Sequence, residues 1–280
     1  MRNLKTIFAV ATAGILTFTS CKKDDDNNGT TPNEEKGTVE LHFDNVYKTV
    51  GNSIKLATND NKTSVGTELV SSNNQKHKFE VLKYIISDVS LVTKDGKEVQ
   101  YNHGNPNKGA QIINQAEEHS HHFNLSDIPV GEYSKVKFLI GISEEVFKKG
   151  ENFQKDFFDK TTKEGMNWKW KNGYRHLRFE GFYGDDYASA FKLHLGDKVA
   201  SANSQSISGA IQIELPITAV LKVEKDKKSA IHIKVDLDKY LSGTKKITLT
   251  SDNNNIHSVV GADDFVENIK GGMFSVDHLH

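Results

Sequence analysis

Twelve histidines stand beside a single cysteine in this 280-residue chain, and that pair of counts bounds the chemistry open to it. Imidazole binds transition metals and exchanges protons near neutral pH. His119-Ser120-His121-His122 follows Glu117-Glu118 in a polar stretch, and His278-Leu279-His280 follows Asp277. On extended backbone an H-x-H pair aims two rings to one side, about 7 Å apart, a workable start for a metal site. For residues 119–122 an ordinary solvated loop is the favoured reading, because nothing else marks them. His42, His194 and His232 stand singly, on the polar side of expected strands. Both tryptophans fall in one aromatic segment, Gly165-Met166-Asn167-Trp168-Lys169-Trp170-Lys171-Asn172-Gly173-Tyr174. On a strand Trp168 and Trp170 would project to the same side, either as a packing pair or as the wall of a site.

The cysteine has a different role. Arg2 and Lys5 precede an apolar run from Thr6 to Phe18 of about a dozen residues, too short to span a bilayer, and small Thr19 and Ser20 lead into Cys21. The run reads as a secretory signal over residues 1–20, and its ending resembles the lipobox of bacterial lipoproteins. That resemblance implies a lipidated Cys21 as the first mature residue and an outer-membrane anchor facing the periplasm or the cell surface. Lys22-Lys23-Asp24-Asp25-Asp26-Asn27-Asn28-Gly29 contains nothing to bury, so residues 21–36 are expected to form a disordered acidic tether. Cleavage removes Arg2 and Lys5 and so moves the formal net charge from −1 to −3. It also leaves a folded part without any thiol. A metal site would then be built from His, carboxylate, Met or carbonyl oxygen, which points to copper(II), zinc and, less strongly, nickel. Copper(I) would also want thioether, and the mature chain offers only Met166 and Met273.

The elements that must position these residues are strands. Val39, Leu41 and Phe43 alternate with Glu40, His42 and Asp44, and Ile231, Ile233, Val235 and Leu237 alternate with His232, Lys234, Asp236 and Asp238. Similar patterns run through Val136–Ile142 and Ile211–Leu215, with further strands expected at Lys78–Thr93, Gln111–Ile113, Leu177–Phe182, Phe191–Leu195, Val220–Val223 and Lys246–Leu249. Helical signal is confined to Glu144–Phe158 and to Ala262–Ile269 before Gly271-Gly272. The expected fold is all-β: an antiparallel sandwich or open barrel over residues 37–280, with long loops and one or two short helices.

Composition excludes several classes. A near-neutral balance supplies no cationic field for nucleic acid, one cysteine allows no disulfide scaffold, and one apolar run allows no polytopic membrane protein. There is no G-x-S-x-G elbow, Walker A loop, H-E-x-x-H or dinucleotide fingerprint, so a non-enzymatic protein, monomeric, is expected.

Several segments, in order, resemble the MbnP-like domain family, that of the periplasmic copper protein associated with methanobactin gene clusters. They are Val39–Asn45, Phe79–Val89, Ile128–Tyr133 with Phe138–Ile142, Gly165–Gly181 (GMNWKWKNGYRHLRFEG), Phe191–Gly196 and Met273–His280. The resemblance implies a secreted β-rich domain that binds copper through histidines near a tryptophan oxidised to kynurenine by a dihaem partner of the MauG type. Carried over by residue, it implies Trp168 or Trp170 as the modified position and His194 as the leading ligand, with His278 and His280 after it; His42, on the polar side of the opening strand, is a further metal candidate. Two departures are visible: relatives often carry His after Phe-Asp in the opening strand, where this chain has Asn45, and neither tryptophan here has a His two residues away. The expected function is copper acquisition or handling by a membrane-anchored lipoprotein. The alternative is a surface adhesion or interaction module that keeps the fold without a metal site.

Overall fold

Residues 34–48, 54–168, 173–197, 209–258 and 261–280 are described by a computed structural model. The period-two segments become thirteen strands: β1 (Lys36–Val46), β2 (Leu69–Val70), β3 (Lys76–Thr93), β4 (Glu98–Gln100), β5 (Gln111–Asn114), β6 (His122–Pro129), β7 (Gly131–Ile140), β8 (Arg175–Tyr183), β9 (Ser189–Gly196), β10 (Ile211–Val223), β11 (Lys228–Asp236), β12 (Asn255–Ile256) and β13 (Phe274–Leu279). A small sheet has the order β13-β11-β1-β6. A large one has the order β10-β7-β3-β8-β9-β12, with β2, β4 and β5 also paired to β3. The sheets stack as a sandwich, and among the described residues neither closes into a barrel.

Alternation decides which side chains enter the core. Val39, Leu41 and Phe43 of β1 and Ile231, Ile233 and Val235 of β11 are fully buried, while Glu40, His42, Asp44 and His232 take the outer face. Phe43 meets Tyr84 of β3 and Phe138 of β7 edge-on, with ring centroids 6.1 and 5.8 Å apart, and Phe274 of β13 completes the group. Such edge-to-face aromatic packing adds to the area each ring buries. The central strand β3 is buried on both faces, so it lacks the clean alternation of β1. Its second face is covered by Val146, Phe157, Met166 and Tyr174.

Two pairings depart from the antiparallel expectation: β1 with β11 and β12 with β9 are parallel. Parallel neighbours require a long connection, and no local turn signal announces one. The helices are also more numerous: α1 (Pro106–Gly109), α2 (Glu144–Lys148), α3 (Lys155–Lys163), α4 (Leu237–Ser242) and α5 (Asp263–Asn268). The expected 144–158 helix is broken at Gly150, whose φ of 79° is left-handed. Lys246–Leu249 belongs to no strand. Lys246 forms an isolated bridge to Ser242, and side chains hold the rest of the segment: the Gln75 amide donates to Leu249 O at 2.8 Å and accepts from Leu249 N at 2.9 Å, and Asn73 donates to Ile247 O.

Candidate metal centres

His194 lies on β9, which is flanked by β8 and β12. The parallel register Ile256↔Leu193 carries the next residue, His257, to its side. The two Nδ1 atoms are 3.1 Å apart. On the other edge of the ring, His194 Nε2 lies 2.7 Å from Glu180 Oε1, which also accepts from Arg178 Nε at 2.6 Å. Burial alone would raise the Glu180 carboxyl, but the bonds from His194 and Arg178 outweigh it and hold the group down at about 2. Glu180 is therefore a carboxylate that only accepts, so His194 donates from Nε2 and turns the lone pair of Nδ1 toward His257. A carboxylate fixing the far nitrogen of an imidazole is the usual support of a metal ligand. Two imidazole nitrogens each about 2.0 Å from one ion at tetrahedral or square angles would sit about 2.8–3.3 Å apart. The observed separation falls in that interval.

Trp168 forms the wall of this site, its ring centroid 6.0 Å from His194 and 6.2 Å from His257, with the Arg175 guanidinium 4.9 Å above it. It reaches them from the segment before β8, where Trp168 N donates to Gly173 O and Asn167 bridges to Tyr174. Burial, opposed by Glu180, lowers the His194 pKa below the ordinary imidazole value; burial and the charge of Arg175 lower that of His257. Both rings are thus neutral at neutral pH, the form that binds metal.

The second cluster lies on the outer face of the small sheet. Register pairs His42 with His232 on one side and with His122 on the other, and pairs His232 with His278. Four imidazoles on four adjacent strands therefore stand in a row, His278–His232–His42–His122, with neighbouring centroids 4.1, 4.5 and 4.1 Å apart. His280 joins the end of the row, its Nε2 3.0 Å from Nε2 of His278. Burial lowers the His42 pKa, with Asp44 opposing and the charges that His122 and His232 would carry reinforcing it.

The four histidines expected as metal candidates thus separate: His194 lies in the large sheet, and His42, His278 and His280 in the small one. Trp168 stands at the His194 site, whereas Trp170 and Cys21 lie outside the described residues. Trp168 is not on a strand, so the side-by-side projection expected of a Trp-x-Trp strand does not describe it. His119 and His121 form part of a 3₁₀ turn, which removes the extended geometry an H-x-H pair needs, and only His122 enters a strand. Met166 and Met273 are fully buried in separate hydrophobic clusters. Sequence reasoning missed His257 and Glu180 as partners of His194, and did not place His122 and His232 beside His42. The alternation gave the face of His42 and His232; the strand order that joins them is not a local property.

The fold and these clusters define an all-β sandwich bearing imidazole clusters on both of its sheets. The chain belongs to the MbnP family, whose model matches residues 36–258. Among solved structures it is similar to MbnP from Methylosinus trichosporium, at 12% identity over 78% of this chain and 83% of that one, with a TM-score of 0.45. No curated protein matches it.

Proposed function

We propose that this chain is a non-catalytic, extracytoplasmic lipoprotein that binds copper at His194 and His257, beside Trp168, and is held to the outer membrane through Cys21. The observation that carries the reading is the pair of imidazoles with Nδ1 atoms 3.1 Å apart, one of them oriented by the Glu180 carboxylate. Copper is the ion that the family resemblance implies, and imidazole without thiolate suits it. Asn45, where relatives often carry His, is not available to the metal: it is buried, accepts from Tyr84 Oη and donates to Gln115. The site would therefore draw any further donor from solvent or another group.

Copper(II) added to the protein should quench tryptophan emission at a defined stoichiometry, and His194→Ala and His257→Ala should each abolish that quenching. Unchanged quenching in both variants would remove the pair from the site. Metal that is sub-stoichiometric after native expression with copper, and lost on dialysis, would instead favour an interaction module that keeps the fold. In this reading Trp168, beside the two imidazoles, or Trp170 is the residue oxidised to kynurenine by a dihaem oxidase. Intact mass of natively purified protein reads this as the net exchange of one carbon for one oxygen.

A further inference from the structure

The outer face of the small sheet carries a second constellation that the His194 site does not use. Its residues come from β1, β6, β11 and β13, and the family match ends at residue 258, before β13. An outward face of a sheet normally carries mixed polar residues, because like groups directly opposite one another repel once charged. Here four consecutive strands place imidazole at the same level.

The carboxylates around the row are placed as supports. Asp277 lies 2.7 Å from Nδ1 of His278, Asp44 lies 2.8 Å from Nδ1 of His232, and Glu40 lies 2.8 Å from Nδ1 of His122. His278 and His232 are thus held through Nδ1 by a carboxylate and present Nε2, the arrangement that orients metal-binding imidazoles, whereas Glu40 stands beside His122 as a candidate ligand. Glu40 is additionally paired with Lys228, and His42 Nε2 lies 3.4 Å from Asp44. Ligand atoms converge in three groups, each within 4.8 Å: His232, His278 and His280; Glu40, His42 and His122; and His42, Asp44 and His232. In the first group the Nε2 atoms of His278 and His280 are 3.0 Å apart, again the spacing of two nitrogens on one ion.

We propose that this face is a second metal site holding two divalent transition ions, one on His232, His278 and His280 and one on Glu40, His42 and His122, with Asp44 between them. Two strand spacings separate the centres of the two groups, about 10 Å, so both can be filled. Neutral imidazole with carboxylate and no thiolate selects copper(II) most tightly and zinc(II) next. The His42, Asp44 and His232 group shares a ligand with each of the others and provides the step between them.

Copper(II) and zinc(II) titrations by calorimetry, in protein carrying His194→Ala and His257→Ala, isolate the row from the other site. Two ions per chain are expected. His278→Gln with His280→Gln, on the edge strand β13, should remove one and leave the other. His42→Gln with His122→Gln should remove the second. Circular dichroism and thermal melting of each variant verify that the sheet persists, and electron paramagnetic resonance of the copper(II) form should show imidazole nitrogen coupling that is lost in step with each ion. Zero stoichiometry in the double background, or stoichiometry untouched by either folded row variant, overturns the site. A single ion lost on replacing either pair overturns the two-ion arrangement in favour of one ion on the central group. None of these outcomes bears on tryptophan quenching at His194, so the two sites stand or fall separately.

Discussion

His77 shows what a histidine does here when it has no metal to serve. It lies at the start of β3, fully buried, against the ring edges of Tyr47 and Phe79 at 5.4 and 5.7 Å, with Nδ1 3.3 Å from Gln75 O. Burial drives its pKa down to about 4. Because that folded value is below the unfolded one of about 6.5, the unfolded chain takes the proton first. The stabilisation is whole above pH 6.5 and is lost as pH falls toward 4, an effect of about 3 kcal/mol. Denaturant midpoints at pH 7.5 and 4.5 should differ less in His77→Phe than in the native chain; an equal difference would show that another group carries the acid sensitivity. At the proposed copper site, Glu180→Gln replaces an acceptor-only group by an amide that no longer dictates the His194 tautomer. Copper affinity should fall about 10- to 100-fold, read by tryptophan quenching, with little change in melting temperature. Single residues of this kind were partly legible. His194 was reached through the family resemblance and His42 through alternation, but nothing around His257, in an Asn-rich loop, marks it before the β12–β9 pairing is known.

At the scale of elements, the strands most easily read from sequence are those with one wet face. β1 and β11 alternate because one side meets the core and the other is outward, with Glu40, buried beside His122 and Lys228, the exception on β1. β10 also alternates, and it accommodates Pro216 because it is an edge of its sheet, where a missing N–H costs no ladder bond. Lys246–Leu249 has the composition of a strand, yet it joins no named strand, and side chains of Asn73 and Gln75 bond its backbone instead. No period in the sequence encodes a glutamine acting as a strand. The consequence is measurable. Gln75→Ala would leave both Leu249 backbone groups without those partners, and should cost about 2 kcal/mol of stability in urea unfolding. Faster amide exchange should appear at Leu249 while β3 itself stays protected. Protection at Leu249 equal to that of the native chain would show that the amide is not what holds the segment.

For the molecule as a whole, strand order converts scattered histidines into sites. Residues 42, 122, 232 and 278 are distant in the chain but neighbours in the small sheet, because β1 sits between β11 and β6 and β13 closes the edge. The folded unit, Glu34–His280, contains no cysteine in its sequence. Its core is a continuous hydrophobic cluster between the sheets, and no residue from Glu34 onward carries a thiol. If Cys21 is a lipid anchor, membrane attachment and copper binding must therefore be separable. Cys21→Ser should abolish fatty-acid labelling and move the protein from the detergent phase to the aqueous phase on partitioning. Melting temperature, copper stoichiometry and tryptophan quenching should remain those of the lipidated form. A variant that labels equally would refute the anchor, whereas a variant that is released but no longer binds copper would show that the chain before Glu34 contributes to the metal site. Added reductant should likewise leave the fold intact, since the unit that holds both imidazole clusters has no sulfhydryl to lose.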